Sequence, residues 1–531
     1  MAQSIHTDGQ IAALPPAAVV TTLLVIPLAG YIVYQRLFHP LARFPGPFLA
    51  SLTDLWQCYQ FLTLKQPYNL TELHAKYGNI VRYGPNKLSV TSEDAVQIIY
   101  QKGGRLMPKS EMYVAFGTGH PNSFAMRDEA AHSIRRRHMS HSFSSSYVKE
   151  MEGYLDINIK LLKDKIASRA ERNEAFDLKK LLDFYIFDVL GELAFSQSFN
   201  TMPEEDESRM PPVKENTLLG VTTGSWTAMA PLLRDIVPKI PIKVIRDLVK
   251  GRVGCGQLAV QCVQRRLEAL KDIEAGSAAS SKQRKDLLTN LILARHPDTG
   301  EKLAMRDLVS EAFGFIIAGT HTTSATQAIL FWYLLHNSDI MEKCVAEIDA
   351  SIPPLNRPSG QHAYTASDVE ASLPYLRQCI RENFRISPVF TMPMERKVMA
   401  AGGVTISGQH IPQGTNVAIC SHAYHHNPDI WGSGHEFFDP ARWDKPELNA
   451  RARYLMHFGL GGRQCIGKTV AQTNLYKLSA TLLREFTFEL ADPQEKEKVE
   501  AGFFRGKTPE MVSMGISELE HPLMVKAKPR D

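Results

Sequence analysis

One short stretch near the end of the chain, Phe458-Gly459-Leu460-Gly461-Gly462-Arg463-Gln464-Cys465-Ile466-Gly467, limits what the rest can be built around. A cysteine follows a glycine-rich turn and an arginine. It precedes an amphipathic run with Ile466, Val470, Leu475, Leu478 and Leu482 as its apolar positions. The thiol is therefore expected at a helix N-terminus, where the free N–H groups of the first turn, the helix dipole and the Arg463 cation all favour thiolate over thiol. A stabilised thiolate can ligate a metal.

A lone cysteine at a helix start is ordinarily a buried core thiol. Zinc and iron–sulfur sites draw several Cys or His ligands from closely spaced pairs, and none lies near Cys465. A haem brings four nitrogens of its own, so one axial thiolate suffices. The surrounding residues suit it: Phe458 can cover the sulfur, Gly461 and Gly467 permit close approach of a flat macrocycle, and Arg463 can pair with an acidic edge group. The stretch resembles the haem-binding loop of the cytochrome P450 family, Phe-x-x-Gly-x-Arg-x-Cys-x-Gly, with Ala471 at the family's alanine position. The resemblance implies haem b with Cys465 as axial ligand, and a mainly α fold with a minor β region.

At 531 residues, with 44% apolar and 22% charged residues, the chain can bury a large core. Length alone suggests roughly three domains of about 150 residues, but no interior linker divides it. The net charge of +4 is mild and the basic residues are scattered, which gives nucleic-acid binding no support. Seven cysteines, an odd number without a Cys-x-x-Cys pair, do not form a disulfide framework and point to a reducing compartment. The absence of Cys-x-x-Cys-His excludes covalent c-type attachment, so a haem must be held non-covalently.

Ala17 to Tyr34 contains no charged residue and, with Ile11 to Pro16, is long enough to span a bilayer of about 30 Å. A cleaved signal peptide normally has a basic start, whereas only His6 and Asp8 precede this run, so an uncleaved anchor is expected over residues 1–38. Arg36 and Arg43 place the large domain in the cytosol. The next segment, residues 39–47, contains Pro45-Gly46-Pro47, which cannot continue a helix. It resembles the proline-rich hinge of membrane-bound haem-thiolate monooxygenases, with a His-Pro-Leu opening familiar from filamentous fungi. The resemblance implies that residues 48–531 are the catalytic domain of an endoplasmic-reticulum enzyme.

Short alternating runs between Leu70 and Tyr100 and the residues from Pro388 to Met394 read as strands, and Met107 to Ala125 as a long irregular loop of the kind that is often functional. Asp128 to Ser142 reads as a basic helix on which His132 and Arg136 share a face and can bind a propionate. The family's pair here is Trp-x-x-x-Arg, and His132 departs from it. Leu218 to Ile242 mixes apolar residues with Pro231, Pro238 and Pro241; by resemblance it is the lid of the substrate channel, and an ordinary helical hairpin is the plainer alternative. Gly276 to Lys285 reads as an exposed loop.

Met305 to His336 is the longest periodic segment, about 48 Å of helix. Its middle, Ala318-Gly319-Thr320-His321-Thr322-Thr323, is weak helix former. Where a helix crosses a haem, Ala318 and Gly319 leave room for dioxygen and Thr322 can relay protons. This resembles the family's Ala-Gly-x-Asp/Glu-Thr-Thr, except that His321 replaces the acid. Such a histidine can shuttle protons or sit as a backbone-satisfied polar residue. Glu382 and Arg385 match the family's Glu-x-x-Arg, Arg442 completes that cluster, and Arg396 matches a further propionate ligand.

The resemblance implies insertion of one oxygen atom of O2 into an apolar small molecule. No Gly-x-Gly-x-x-Gly follows a strand, so electrons are expected from NADPH through a separate membrane-bound cytochrome P450 reductase, with cytochrome b5 as a further partner. Trp226, Met229, Phe390, Thr391 and Met392 suggest an apolar pocket. The fungal hinge points by analogy to secondary-metabolite substrates, polyketide or terpenoid. The competing readings are a haem-thiolate desaturase, epoxidase or isomerase, and a non-catalytic haem sensor or carrier.

Overall fold

The computed structural model describes residues 16–101, 104–274, 286–296, 298–355, 360–492 and 508–530. The helix Met305–His336 runs through the centre, and from Ser324 to His336 every residue is buried. A helix without a polar face is a core helix. The helix Leu178–Phe195, equally apolar, packs along it, and Gly319 permits the approach: a Cβ there would lie 2.7 Å from Leu190 Cδ1. Lys243–Glu274 packs on the long helix and on Val213–Ser225. Pro374–Ile386 and the post-cysteine helix Lys468–Glu485 close the opposite side.

The β structure is small and peripheral. Ile80–Gly84, Lys87–Val90, Asn416–Ala418 and Arg396–Lys397 form one sheet in that order, with Leu88 opposite Val417 in the parallel pair. Phe176–Asp177, Met524–Pro529 and Phe486–Leu490 form a second. Met511–Ser513 pairs with Ser517–Leu519, and Val404–Ile406 with Gln409–Ile411. A mainly α fold with minor β sheets is thus observed.

Pro388 to Met394 departs from the strand that its composition suggests. It makes one bridge, Phe390 to Ile516, and the N–H groups of Thr391 and Met392 both donate to Gly515 O at 3.0 Å. Prolines at 388 and 393 remove ladder donors, so the segment bonds to a turn instead.

The helix Pro16–Val33 leads into the proline hinge, and from residue 23 its apolar side chains Leu23, Leu24, Ile26 and Leu28 are exposed. Among the described residues no helix is long and apolar enough to cross a membrane. The start of the expected anchor, residues 1–15, and the 276–285 loop lie outside the described residues. The hinge is bolted to the first strand: Arg82 N donates to Pro45 O at 2.7 Å, and the Arg82 guanidinium donates to Gln35 O at 2.8 Å and Gln35 Oε1 at 2.6 Å. A side chain at Gly46 would collide with the Arg82 carbonyl.

Candidate active site

A cavity of about 380 Å³, of ligand size, lies between the long helix and the cysteine loop. One wall carries Phe458, Cys465, Ile466, Gly467, Val470 and Ala471; the facing wall carries Ala318, Gly319, Thr322 and Thr323. Cys465 N donates to Phe458 O at 2.8 Å, folding the loop over its own phenylalanine, whose ring meets Phe384 edge-on at 5.3 Å. Of the seven cysteines Cys465 alone is exposed. That exposure is to the enclosed cavity, so burial still pushes its thiol up. The N–H groups of Gly467 and Lys468 and the charges of Arg136 and Lys468 oppose the rise. A Cβ at Gly467 would lie 3.8 Å from the sulfur.

The cations that act on the sulfur are therefore Arg136 and Lys468, not Arg463 as the sequence suggests. Arg463 is drawn to Glu129, Nη2 to Oε1 at 2.9 Å, and to Met126 O at 2.8 Å, while still lining the cavity. Gly461 does not line it. Its φ of +70° and a backbone approach that puts any Cβ into Tyr100 O explain the glycine, and Gly459 reaches the cavity instead.

Lys109, His132, Arg136 and Arg463 converge on one rim of the cavity, and Arg396 stands behind them, donating to Tyr113 Oη at 3.0 Å. Arg396 itself does not line the cavity. Burial and then the charges of Arg463, Lys109, Arg136 and Arg396 drive His132 down to about 3. Burial, Arg396 and Arg463 likewise push Lys109 well below the ordinary lysine range. Arg135, on the same helix as His132, is by contrast neutralised by Asp307 at 2.5 Å and Glu311 at 2.9 Å. Three guanidiniums, a lysine and the imidazole of His132, served among the described residues by one partly exposed carboxylate, Glu129, form a cradle of donors suited to a ligand with anionic edge groups. Lys109 was not singled out from sequence. The only signal was its place in the irregular 107–125 loop.

On the long helix the hydroxyls bond back onto carbonyls four residues earlier: Thr320 to Ile316 at 2.6 Å, Thr322 to Ala318 at 2.8 Å and Thr326 to Thr322 at 2.7 Å. Thr322 faces the cavity; His321 does not. His321 is satisfied by a carboxylate rather than by the backbone, with Nε2 3.1 Å from Glu518 Oε2. Phe390 and Met392 line the cavity, whereas Trp226, Met229 and Thr391 do not. Met229 is on the surface with Leu232, Ile236 and Ile242.

Behind the cysteine loop, Glu382 accepts from Arg385 Nη2 at 2.6 Å and Arg442 Nε at 2.8 Å, all three side chains fully buried. The family model of Cytochrome P450 matches residues 45–514. The chain belongs to the cytochrome P450 family. It is 29% identical over 504 residues to "Cytochrome P450 monooxygenase gsfF" of Penicillium aethiopicum, covering 93% of this chain and 97% of that protein. Benzoate 4-monooxygenase of Aspergillus niger is 29% identical over 497 residues (89% and 92% covered). Pisatin demethylase of Fusarium vanettenii is 27% identical over 491 residues (89% of each). The chain is a P450 monooxygenase, and the family carries haem through a cysteine thiolate. The cavity suits that group: one sulfur on one wall, a cationic rim for its carboxylates, and apolar faces.

Proposed function

We propose that this P450 oxidises a small apolar, aromatic-bearing molecule in fungal secondary metabolism, with Cys465 as the axial ligand of haem b. The observation that carries the reading is the Cys465 sulfur and the Thr322 hydroxyl on opposite walls of one cavity, beside the cationic rim. When bound, the haem supplies the family's oxygen-activating redox chemistry. Arg136, His132 and Lys109 hold its carboxylates. Gly467 and Lys468 stabilise the thiolate through their N–H groups. Thr322 Oγ1 holds and passes a proton at the far wall. Phe116, Phe124, Phe390 and Ile186 line the substrate end and exclude water. The aromatic lining and the names of the benzoate and pisatin enzymes support an aromatic substrate.

The exposed apolar helix before the hinge supports a single-pass anchor in the endoplasmic reticulum, with the domain in the cytosol and electrons from NADPH through the separate reductase. Expressed with its anchor and reduced under carbon monoxide, the protein should give the red-shifted thiolate-haem band. Cys465→Ala should abolish it. A variant that kept the band would sink the assignment. Metabolite profiling after loss of the gene should show an accumulating precursor, which names the substrate and the oxidised position.

A further inference from the structure

Asn216, on the helix Val213–Ser225, lines the cavity and is otherwise buried. Its Oδ1 accepts from Arg252 Nε at 3.0 Å. A guanidinium has donors only, so the carboxamide oxygen is fixed toward Arg252 and the Nδ2 group is the end left over. Among the described residues nothing accepts from that Nδ2. We infer that Asn216 is a specificity-determining residue, its Nδ2 group receiving a carboxylate carried by the aromatic substrate, with Arg252 as the positioning residue behind it. The inference rests on the proposed reading of the cavity as the site of an aromatic-bearing substrate, and it adds one anionic group to that apolar body.

Arg252 supplies charge that the fold leaves uncompensated. It lies on the helix Lys243–Glu274, which comes close to Val213–Ser225 because residue 251 is glycine: a Cβ there would lie 2.6 Å from Glu215 Cβ. Among the described residues no carboxylate pairs with Arg252, and its Nη2 is buried without a hydrogen-bond partner. Burial lowers Arg252 to about 10, which leaves it charged at neutral pH. The group opposing that drop is Cys255, itself pushed up to about 12 by burial and so a neutral thiol. Charge buried in this way is ordinarily paired. Arg252 does not line the cavity, so it acts on an anion there through the Asn216 carboxamide, which it holds with the oxygen toward the cation and the N–H groups away from it.

The other two asparagines that line the cavity lack this charge. Asn122 is oriented in the same manner, Oδ1 accepting from Ala125 N at 2.8 Å. The acid beside it, however, Glu311, which accepts from Ser123 N, is already paired with Arg135 at 2.9 Å. Asn474 stands on the cysteine-side helix Lys468–Glu485, its Oδ1 taken by Tyr185 Oη at 3.3 Å. The rim cations are assigned to the carboxylates of the haem, which leaves Asn216 and Arg252 for that of the substrate.

The test uses the ferric holoenzyme of the full chain and two probes, naphthoate and methylnaphthalene, substituted at the same ring position and differing in the carboxylate alone. Titration of each against the haem absorption spectrum gives its Kd. Asn216→Leu removes the donor at similar volume; it should weaken naphthoate about ten-fold or more, as loss of a hydrogen bond to a charged group does, and leave methylnaphthalene within about two-fold. Asn216→Asp pairs the Arg252 cation internally, so it stays informative if Asn216→Leu folds poorly; it should weaken naphthoate further still and spare the neutral probe. Arg252→Met should weaken naphthoate about three-fold or more, and Arg252→Lys should restore most of that loss. A merely structural role would weaken both probes together. Naphthoate affinity unmoved by either Asn216 substitution, or equal losses for the two probes, would overturn the inference. Failure of both probes to perturb the spectrum of an unsubstituted protein that shows its thiolate-haem band would overturn the aromatic reading and the inference with it, whereas absence of that band would overturn the haem assignment.

Discussion

Two buried carboxylates flank the cavity, one behind each wall, and they are held in different ways. Glu382 is gripped by Arg385 and Arg442, whose remaining N–H groups donate to the carbonyls of His425, His435, Phe437, Trp431 and Gly434. All three charged side chains are sealed, at 3% exposure or less. Glu518 is instead met by two lysines and a histidine, and Lys214 reaches the surface. The Arg385 guanidinium, with all five donors used, fixes geometry and cannot give up its proton. The Glu518 cluster instead opens to water on the Lys214 side. The same ingredients, one anion among cations, make a sealed bolt on one side and a solvent-reached pair on the other.

The sharpest way to break this contrast is to remove one cation from each cluster. Arg385→Ala leaves Glu382 short of a partner and removes the guanidinium donors from the carbonyls of His425, His435 and Phe437. It should cost about 3–5 kcal/mol, as removing one member of a buried pair does, and much of the protein should fail to fold. Lys214→Ala, at a partly exposed pair, should cost about 1 kcal/mol or less. Urea unfolding of the two variants measures both; equal losses would erase the distinction between bolt and pair.

Acidification probes the bolt from another side. His422 is buried, stacked on His426 at 4.2 Å and hydrogen-bonded to Thr71 Oγ1 at 2.9 Å. Burial, then the Arg385 charge, lower it to about 3. Its folded pKa is below the unfolded one of about 6.5, so the stability linked to it is present above pH 6.5 and lost as pH falls toward 3. Between pH 7 and pH 5 it should account for a loss of about 2 kcal/mol. His422→Gln should flatten the fall in unfolding free energy over that interval, while Glu518→Gln should not, because the Glu518 carboxyl, held down against burial by His321, Lys214 and Lys179, stays ionised there.

Much of the bolt was legible in the sequence, and much of the pair was not. Glu382 and Arg385 lie three apart on one helix, a local pattern, and Arg442 sits in a recognisable segment upstream of Cys465. Cys465 was legible for the same reason: its turn, its helix and its arginine are neighbours in the chain. Even there, the partner of the sulfur was misread, because which way Arg463 turns depends on Glu129, more than 300 residues away. The replacement of an acid by His321 was visible at once. Its partner, Glu518, is 197 residues further on, in a strand of three residues. Periodicity cannot locate such a contact, since it is made only when the last turn of the chain folds back over the long helix. The strand expected at Pro388 to Met394 failed similarly, its partner being a distant turn rather than a neighbouring strand.

The cationic rim of the cavity extends the comparison to a third cluster, whose anion must come from the cofactor. Lys109 donates to Phe124 O and lies over the rings of Tyr113 at 4.3 Å and Phe124 at 4.6 Å. Its ammonium is already partly satisfied by a carbonyl and two aromatic faces. Lys109→Met keeps the stem and removes the charge, so it should cost only about one hydrogen bond to a charged group, about 1.5 kcal/mol, or roughly ten-fold in haem retention. Arg136→Met removes a rim cation that also stands beside the Cys465 sulfur, and it should both loosen the haem and weaken the thiolate band. Transfer of haem from each variant to a scavenger protein, followed with the carbon monoxide spectrum, separates the two effects. If Lys109→Met also disturbed the thiolate band, the rim and the sulfur would belong to one cluster rather than two.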